Sequence, residues 1–108
     1  MSTVCNRRDL DFLLYEVFGA DRLAKRPRYA MHDRVSFDAV IDLAFRLADE
    51  HLQPHAARAD VEEPFVADGK VVQIPETSAA LEQLREAGFF AATFDEELGG
   101  MQLPFTVG

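Results

Sequence analysis

Apolar residues first recur at helical spacing in Leu10, Leu13, Leu14, Val17 and Phe18, whose offsets place them on one face of a helix. Asp9 is a candidate cap at its start, and Gly19 can close it. A longer stripe follows, in which Phe37, Val40, Ile41, Ala44, Phe45, Ala48 and Leu52 keep the period while Asp38, Asp42, Arg46 and Asp49 lie mostly elsewhere. Asp33 or Ser36 can cap this second helix. Pro54 lacks a backbone donor and crowds the carbonyl of Glu50, so the helix must stop or kink there, with His55 to Asp60 continuing it beyond. Between the two helices, Asp21 to Met31 is basic, contains Pro27 and has no period, which reads as a connection.

From Val61 to Pro75 the helical period is lost. Phe65, Val66, Val71 and Val72 flank Asp68-Gly69, a pair suited to the positive backbone angles of a tight turn, so a short hairpin or an open loop is expected. Helix resumes near Pro75 or Glu76, carries Ala80, Leu81, Leu84 and Ala87 on one face, and ends at Gly88. The pattern predicts an all-α fold, a small bundle of three or four helices with one short irregular or hairpin segment. Its expected core is Leu13, Val17, Phe37, Ile41, Ala44, Ala48, Leu81 and Leu84. Past Gly88 the chain gathers Phe89, Phe90, Phe94, Leu98, Met101, Leu103 and Phe105 with no helical partner to cover them.

Composition narrows this picture. A chain of 108 residues suits one core, and 48% hydrophobic against 28% charged residues is a globular balance that excludes intrinsic disorder. The net charge of -8 repels phosphate backbones, so no nucleic acid is expected as a partner. Arg22, Lys25, Arg26 and Arg28 run against that trend. They read as a solvated linker between acidic helices, with contact to an anionic group as the alternative. Cys5 is the single cysteine, so no internal disulfide can form. No apolar export segment follows the first charges, and no apolar run approaches the roughly 20 residues that cross a bilayer. A cytoplasmic location without a membrane partner is the expectation.

Little in the chain suggests chemistry of its own. His51 and His55 have the spacing of a helical metal pair, but Pro54 interrupts it and no third ligand is evident, so no metal is expected. Asp95, Glu96 and Glu97 precede a Gly-Gly turn and read as solvated acids rather than an acid-base pair. Gly99-Gly100 lacks the spacing of a phosphate-cradling loop, and no Ser or Cys has a plausible base beside it. No catalytic residue is expected.

The run Leu81-Glu82-Gln83-Leu84-Arg85-Glu86-Ala87-Gly88-Phe89-Phe90, followed by Asp95-Glu96-Glu97-Leu98-Gly99-Gly100-Met101, resembles the acyl-CoA dehydrogenase pattern of a helix ending in L-x-E-A-G-F/W and then P-E-E-x-G-G-L-G. Upstream, Phe45 to Ala57 resembles that family's F-A-x-E-x-L-x-P-x-A helix, with Asp60 where an acidic residue is common. The N-terminal helix, Asp9 to Gly19, resembles the opening of the branch that includes 3-methylmercaptopropionyl-CoA dehydrogenase. Two positions depart from the pattern: Asp95 stands where proline is usual, and Gln102 where glycine is usual, which frees one backbone position and restricts the other.

The resemblance implies a piece of a flavoprotein oxidoreductase of fatty acid metabolism, one that takes a proton from the alpha carbon of an acyl thioester and passes hydride from the beta carbon to FAD. Residues 1–108 would be its N-terminal helical domain, with 1–30 an extra helix and linker and 31–108 the common helical part, expected to be incomplete. FAD and the catalytic carboxylate would belong to later domains, so this chain alone is expected to be inactive and to hold no cofactor. The acyl-CoA substrate would be met only in a full-length context. Leu103 and Phe105 are then candidates for lining the acyl pocket, and the apolar tail suggests a homo-oligomer. The alternative is a free-standing helical module for protein interaction or oligomerisation. A DNA-binding member of the same superfamily is disfavoured by the charge.

Overall fold

The structure, a computed structural model, describes residues 4–108. It begins with α1 (Arg7–Asp11), which runs directly into a π-helical stretch at Phe12–Val17. Two 3-10 stretches, Ala20–Lys25 and Pro27–Tyr29, connect this to α2 (Arg34–Leu47). α2 extends through a π-helical turn at Ala48–Leu52 and a 3-10 turn at Gln53–His55 into α3 (Ala56–Val61). A two-stranded antiparallel hairpin, β1 (Phe65–Ala67) and β2 (Lys70–Val72), then leads to α4 (Pro75–Glu86) and an irregular C-terminal segment with 3-10 turns at Phe89–Ala91 and Glu96–Leu98. This is the mostly helical architecture with one small hairpin that the apolar pattern predicts.

Local chemistry explains most of these boundaries. Asp33 and Ser36, alternative caps on the sequence, act together: Ser36 N donates to Asp33 Oδ1 at 2.8 Å while Asp33 N donates to Ser36 Oγ at 3.0 Å, a reciprocal capping box. Pro54 cannot donate to Glu50, and the helix absorbs this by widening to π and then tightening to 3-10 before α3 resumes. Asp68 and Gly69 both take positive φ, 52° and 73°, and Ala67 pairs with Lys70 across the turn. Pro75 opens α4 at a position where its missing N–H costs nothing, and Gly88 closes it at φ 82°.

The core differs from the expected one. Leu14, Tyr15, Ala20, Phe37, Ile41 and Leu103 form the buried cluster, with Leu10, Val40, Phe45, Ala92, Met101 and Val107 around it. Phe37 and Ile41 are where the pattern places them; Leu13 and Val17 are exposed. The cause is the helix type. Phe18 N donates to Leu13 O, five residues back, and in this wider turn the inward residues recur as Leu10, Leu14-Tyr15 and Gly19-Ala20 rather than at α spacing. Asn6, not Asp9, caps the start: its side chain accepts from Arg8 N and Asp9 N.

Ala44 lies on the α2 stripe but faces a small apolar cleft, about 190 Å³, shared with Val4, Cys5, Phe45 and Ala48, so it remains exposed. α4 packs beside the π turn at Ala48–Leu52 through Ala80, with Leu84 half-buried and Leu81 at the edge of the contact, 44% exposed. Leu81→Ala is therefore expected to cost about 1 kcal/mol or less, far below a buried leucine truncation. Urea midpoints check this, and a loss near 2 kcal/mol would show that something covers the face.

The molecule is a slab of 50 × 34 × 18 Å. Its radius of gyration is 16.5 Å, against about 13 Å for a compact domain of this length. Much apolar area stays outside: Phe12, Phe18, Val66, Val71, Phe90, Phe94, Leu98 and Phe105 are all more than half exposed.

Candidate functional site

The C-terminal segment is irregular but closely hydrogen-bonded. After Gly88 the chain makes one 3-10 turn, passes Phe94, turns again at Glu96–Leu98, and folds back so that Met101 N donates to Ala91 O, Gln102 N to Phe94 O and Leu103 N to Ala92 O, at 2.9 to 3.2 Å. Gly99, at φ 84°, makes the reversal possible. The return places Leu103 in the core at 1% exposure, beside the buried Pro104. Phe105 then stands out at 86% exposure. The two candidate pocket residues thus have different settings, one an anchor and the other an outward ring.

This loop is tied to the segment before α2. Gln102 Oε1 accepts from Glu96 N at 2.9 Å, and Gln102 Nε2 donates to Arg28 O at 2.6 Å. The Arg28 guanidinium meets the Asp95 carboxylate, which raises the arginine pKa further above its ordinary value. His32 Nε2 lies 2.8 Å from Met101 O, and its Nδ1 3.1 Å from Ser36 Oγ. Both positions that depart from the resembled pattern therefore contact Arg28. Gln102 adopts φ 53°, the left-handed conformation a glycine would take freely, and its amide bonds offset that strain. Asp95 keeps φ -57°, an angle proline would also satisfy, but contributes a carboxylate instead.

A second polar cluster joins α1 to α2. Arg7 Nε donates to Asp11 at 2.9 Å, and its two terminal nitrogens reach Asp38 and Asp42. Tyr15 donates its hydroxyl to Asp38 Oδ1 at 2.7 Å, under the Arg34 guanidinium, which lies 4.0 Å from the ring centre. Burial, then the bond to Asp38, holds the Tyr15 phenol well above its ordinary pKa. Burial works against the Arg7 charge, but Asp11 and Asp42 more than restore it, so its pKa is raised. A phenol kept protonated is no nucleophile, and this cluster acts as a strap between elements. Sequence spacing gave no sign of it, because Arg7 and Asp38 share no element and only packing brings them together.

The remaining sequence candidates stay apart. Glu96 and Glu97 are exposed, and Asp95 is engaged by Arg28. Arg22, Lys25 and Arg26 are exposed, as a solvated linker requires. His51 lies 3.9 Å from Glu50, His55 opens onto a cleft with Arg58 and Glu76, and among the described residues no three His, Cys, Asp or Glu converge as a metal site. A cleft of about 630 Å³ is lined by Arg7, Arg8, Asp9, Asp11, Phe12, Glu16 and Arg34. Three arginines there are matched by three carboxylates, and Arg7 and Arg34 are already paired with Asp11, Asp38 and Asp42, so the lining offers the pyrophosphate of a dinucleotide no net positive charge and does not fit one. Among the described residues no helix is long and apolar enough to cross a membrane.

No curated protein and no solved structure matches the chain. A family model described as acyl-CoA dehydrogenase, N-terminal domain, matches residues 37–107, from the most buried residue of α2 to the end of the returning loop. That match covers most of the chain and leaves α1, the π-helical stretch and the Arg28 segment outside it. The chain belongs to the acyl-CoA dehydrogenase family, in which it corresponds to the N-terminal domain.

Proposed function

We propose that this chain serves as the helical N-terminal domain of an FAD-dependent acyl-CoA dehydrogenase, supplying one wall of the acyl pocket and a packing surface for the domains that hold flavin and base. The observation that carries this reading is the family match over 37–107, which ends on a segment whose anchor, Leu103, is buried while Phe105 projects freely. An anchored backbone with an outward aromatic is what a pocket wall needs: the buried residue fixes the position and the exposed one meets the apolar chain. The elongated slab and its uncovered phenylalanines suit a domain that packs against others. Helix α1 and its π extension, outside the match, would be the added element of the 3-methylmercaptopropionyl-CoA dehydrogenase-like branch. A cytoplasmic, homo-oligomeric enzyme follows from the same reading, with acyl-CoA as substrate and FAD held outside this chain.

The isolated chain is expected to bind neither FAD nor acyl-CoA at micromolar concentration, to lack dehydrogenase activity, and to self-associate through Phe90 and Phe105. Flavin absorbance after gel filtration with added FAD checks the first point, and sedimentation of the chain and its Phe90→Ser, Phe105→Ser variant checks the last. A yellow protein, or FAD bleached by acyl-CoA with this chain alone, would overturn the division of labour. A strict monomer would count against exposed packing faces. The second reading, a free-standing oligomerisation module, rests on the same exposed rings. Native mass spectrometry of the protein purified from its own cells separates the two: the module predicts assemblies of this 12.1 kDa chain alone, the domain predicts a flavin-containing species, as one longer polypeptide or with partner chains.

A further inference from the structure

We infer that residues 28–32 form a clasp that sets the position of the 95–103 loop, with Gln102 as its central positioning residue. Three polar links join the two segments: Gln102 Nε2 to Arg28 O, the Arg28 guanidinium to Asp95, and His32 Nε2 to Met101 O. The Arg28–Asp95 pair is exposed on both sides and contributes little by itself. Gln102 is different. It holds a left-handed backbone conformation that disfavours any side chain with a Cβ, while its amide bonds at one end the amide of Glu96 and at the other the carbonyl of Arg28. A residue needed only for the turn would be served better by glycine. A glutamine there fits a second task, which is to bridge the loop to the N-terminal segment.

The clasp gives that segment control over the loop's C-terminal exit, where Leu103 enters the core and Phe105 leaves it. Resting on the reading that Phe105 meets the acyl chain, the segment before α2 would determine how far that ring reaches and so which acyl lengths fit.

Gln102→Gly tests the clasp directly, because glycine relieves the backbone strain while removing the bridge to Arg28 O together with the bond from Glu96 N inside the loop. Hydrogen exchange should rise about three- to tenfold at Met101 and Leu103, whose amides donate to Ala91 O and Ala92 O, and also at Tyr29 and His32, which donate to Arg26 O and Tyr29 O, while the α2 amides stay protected. Asp95→Ala, which leaves the Gln102 bridge in place, should raise exchange at these four amides by a smaller factor. Unchanged exchange at Tyr29 and His32 in Gln102→Gly would overturn the clasp, and so would a uniform rise that includes the amides of α2. The measurement concerns the chain alone, so it stands or falls independently of whether Phe105 touches substrate.

Discussion

Phe37→Ala is expected to cost about 3 to 5 kcal/mol, the largest loss from any single truncation in this chain. The side chain is 0% exposed and belongs to the one cluster that joins α1's extension, α2 and the C-terminal loop through Leu14, Tyr15, Ile41 and Leu103. The cluster also holds Ala20, and the His32 ring centre lies 5.6 Å from that of Phe37, so filling the cavity means shifting the returning loop, the π-helical stretch or the connection before α2. A natural domain has roughly 5 to 15 kcal/mol in hand, and this elongated one exposes much apolar area, so the variant should be substantially unfolded in mild urea. Circular dichroism across a urea titration checks it. A midpoint equivalent to a loss under 1 kcal/mol would mean that the three segments do not share a core. Leu81→Ala under the same conditions supplies the internal contrast, since both are apolar residues on helical stripes and only one is covered.

That contrast marks where sequence reading succeeds. α2 was legible because its stripe, its Asp33-Ser36 cap and its Pro54 break are local features that act within a few residues; the cap and the break appear where they were read, and the stripe holds at Phe37 and Ile41 but not at Ala44 and Leu52, which stay exposed. The hairpin was legible from Asp68-Gly69 for the same reason. The first helix was legible as a helix but not in its face: a π register leaves the same apolar residues helical while turning Leu13 and Val17 outward and Tyr15 inward. No propensity rule flags that register. What selects it is packing against α2, where Tyr15 finds Asp38 and Arg7 finds two carboxylates, Asp38 and Asp42. The candidate site shows the same division. Leu103 and Phe105 were both marked as apolar residues of a loop, but only the fold-back of 101–103 onto 91–94 decides that one anchors and the other projects. The bridge through Gln102 joins positions 74 residues apart and has no signature in spacing.

Gly100→Ala should disrupt the candidate site more than any other single-methyl change, and far more than Gly99→Ala beside it. A Cβ at Gly100 would lie 2.2 Å from Phe94 O and 2.5 Å from Phe94 C, both backbone atoms that cannot swing aside as a side chain would. Phe94 O is also the acceptor for Gln102 N, so relieving the clash pulls apart the bond that starts the return to the core. Overpacking of this kind costs about 1 to 3 kcal/mol, and loss of the fold-back would add to it by withdrawing Leu103. At Gly99 a Cβ meets nothing within 4 Å, and the penalty is only that of the left-handed φ of 84°, about 1 to 2 kcal/mol. Exchange at the Met101, Gln102 and Leu103 amides separates the two cases: Gly100→Ala should expose all three while Gly99→Ala leaves them protected. If both variants behave alike, the close approach of Gly100 to Phe94 is not what shapes the loop, and the positioning of Phe105 must come from the N-terminal segment alone.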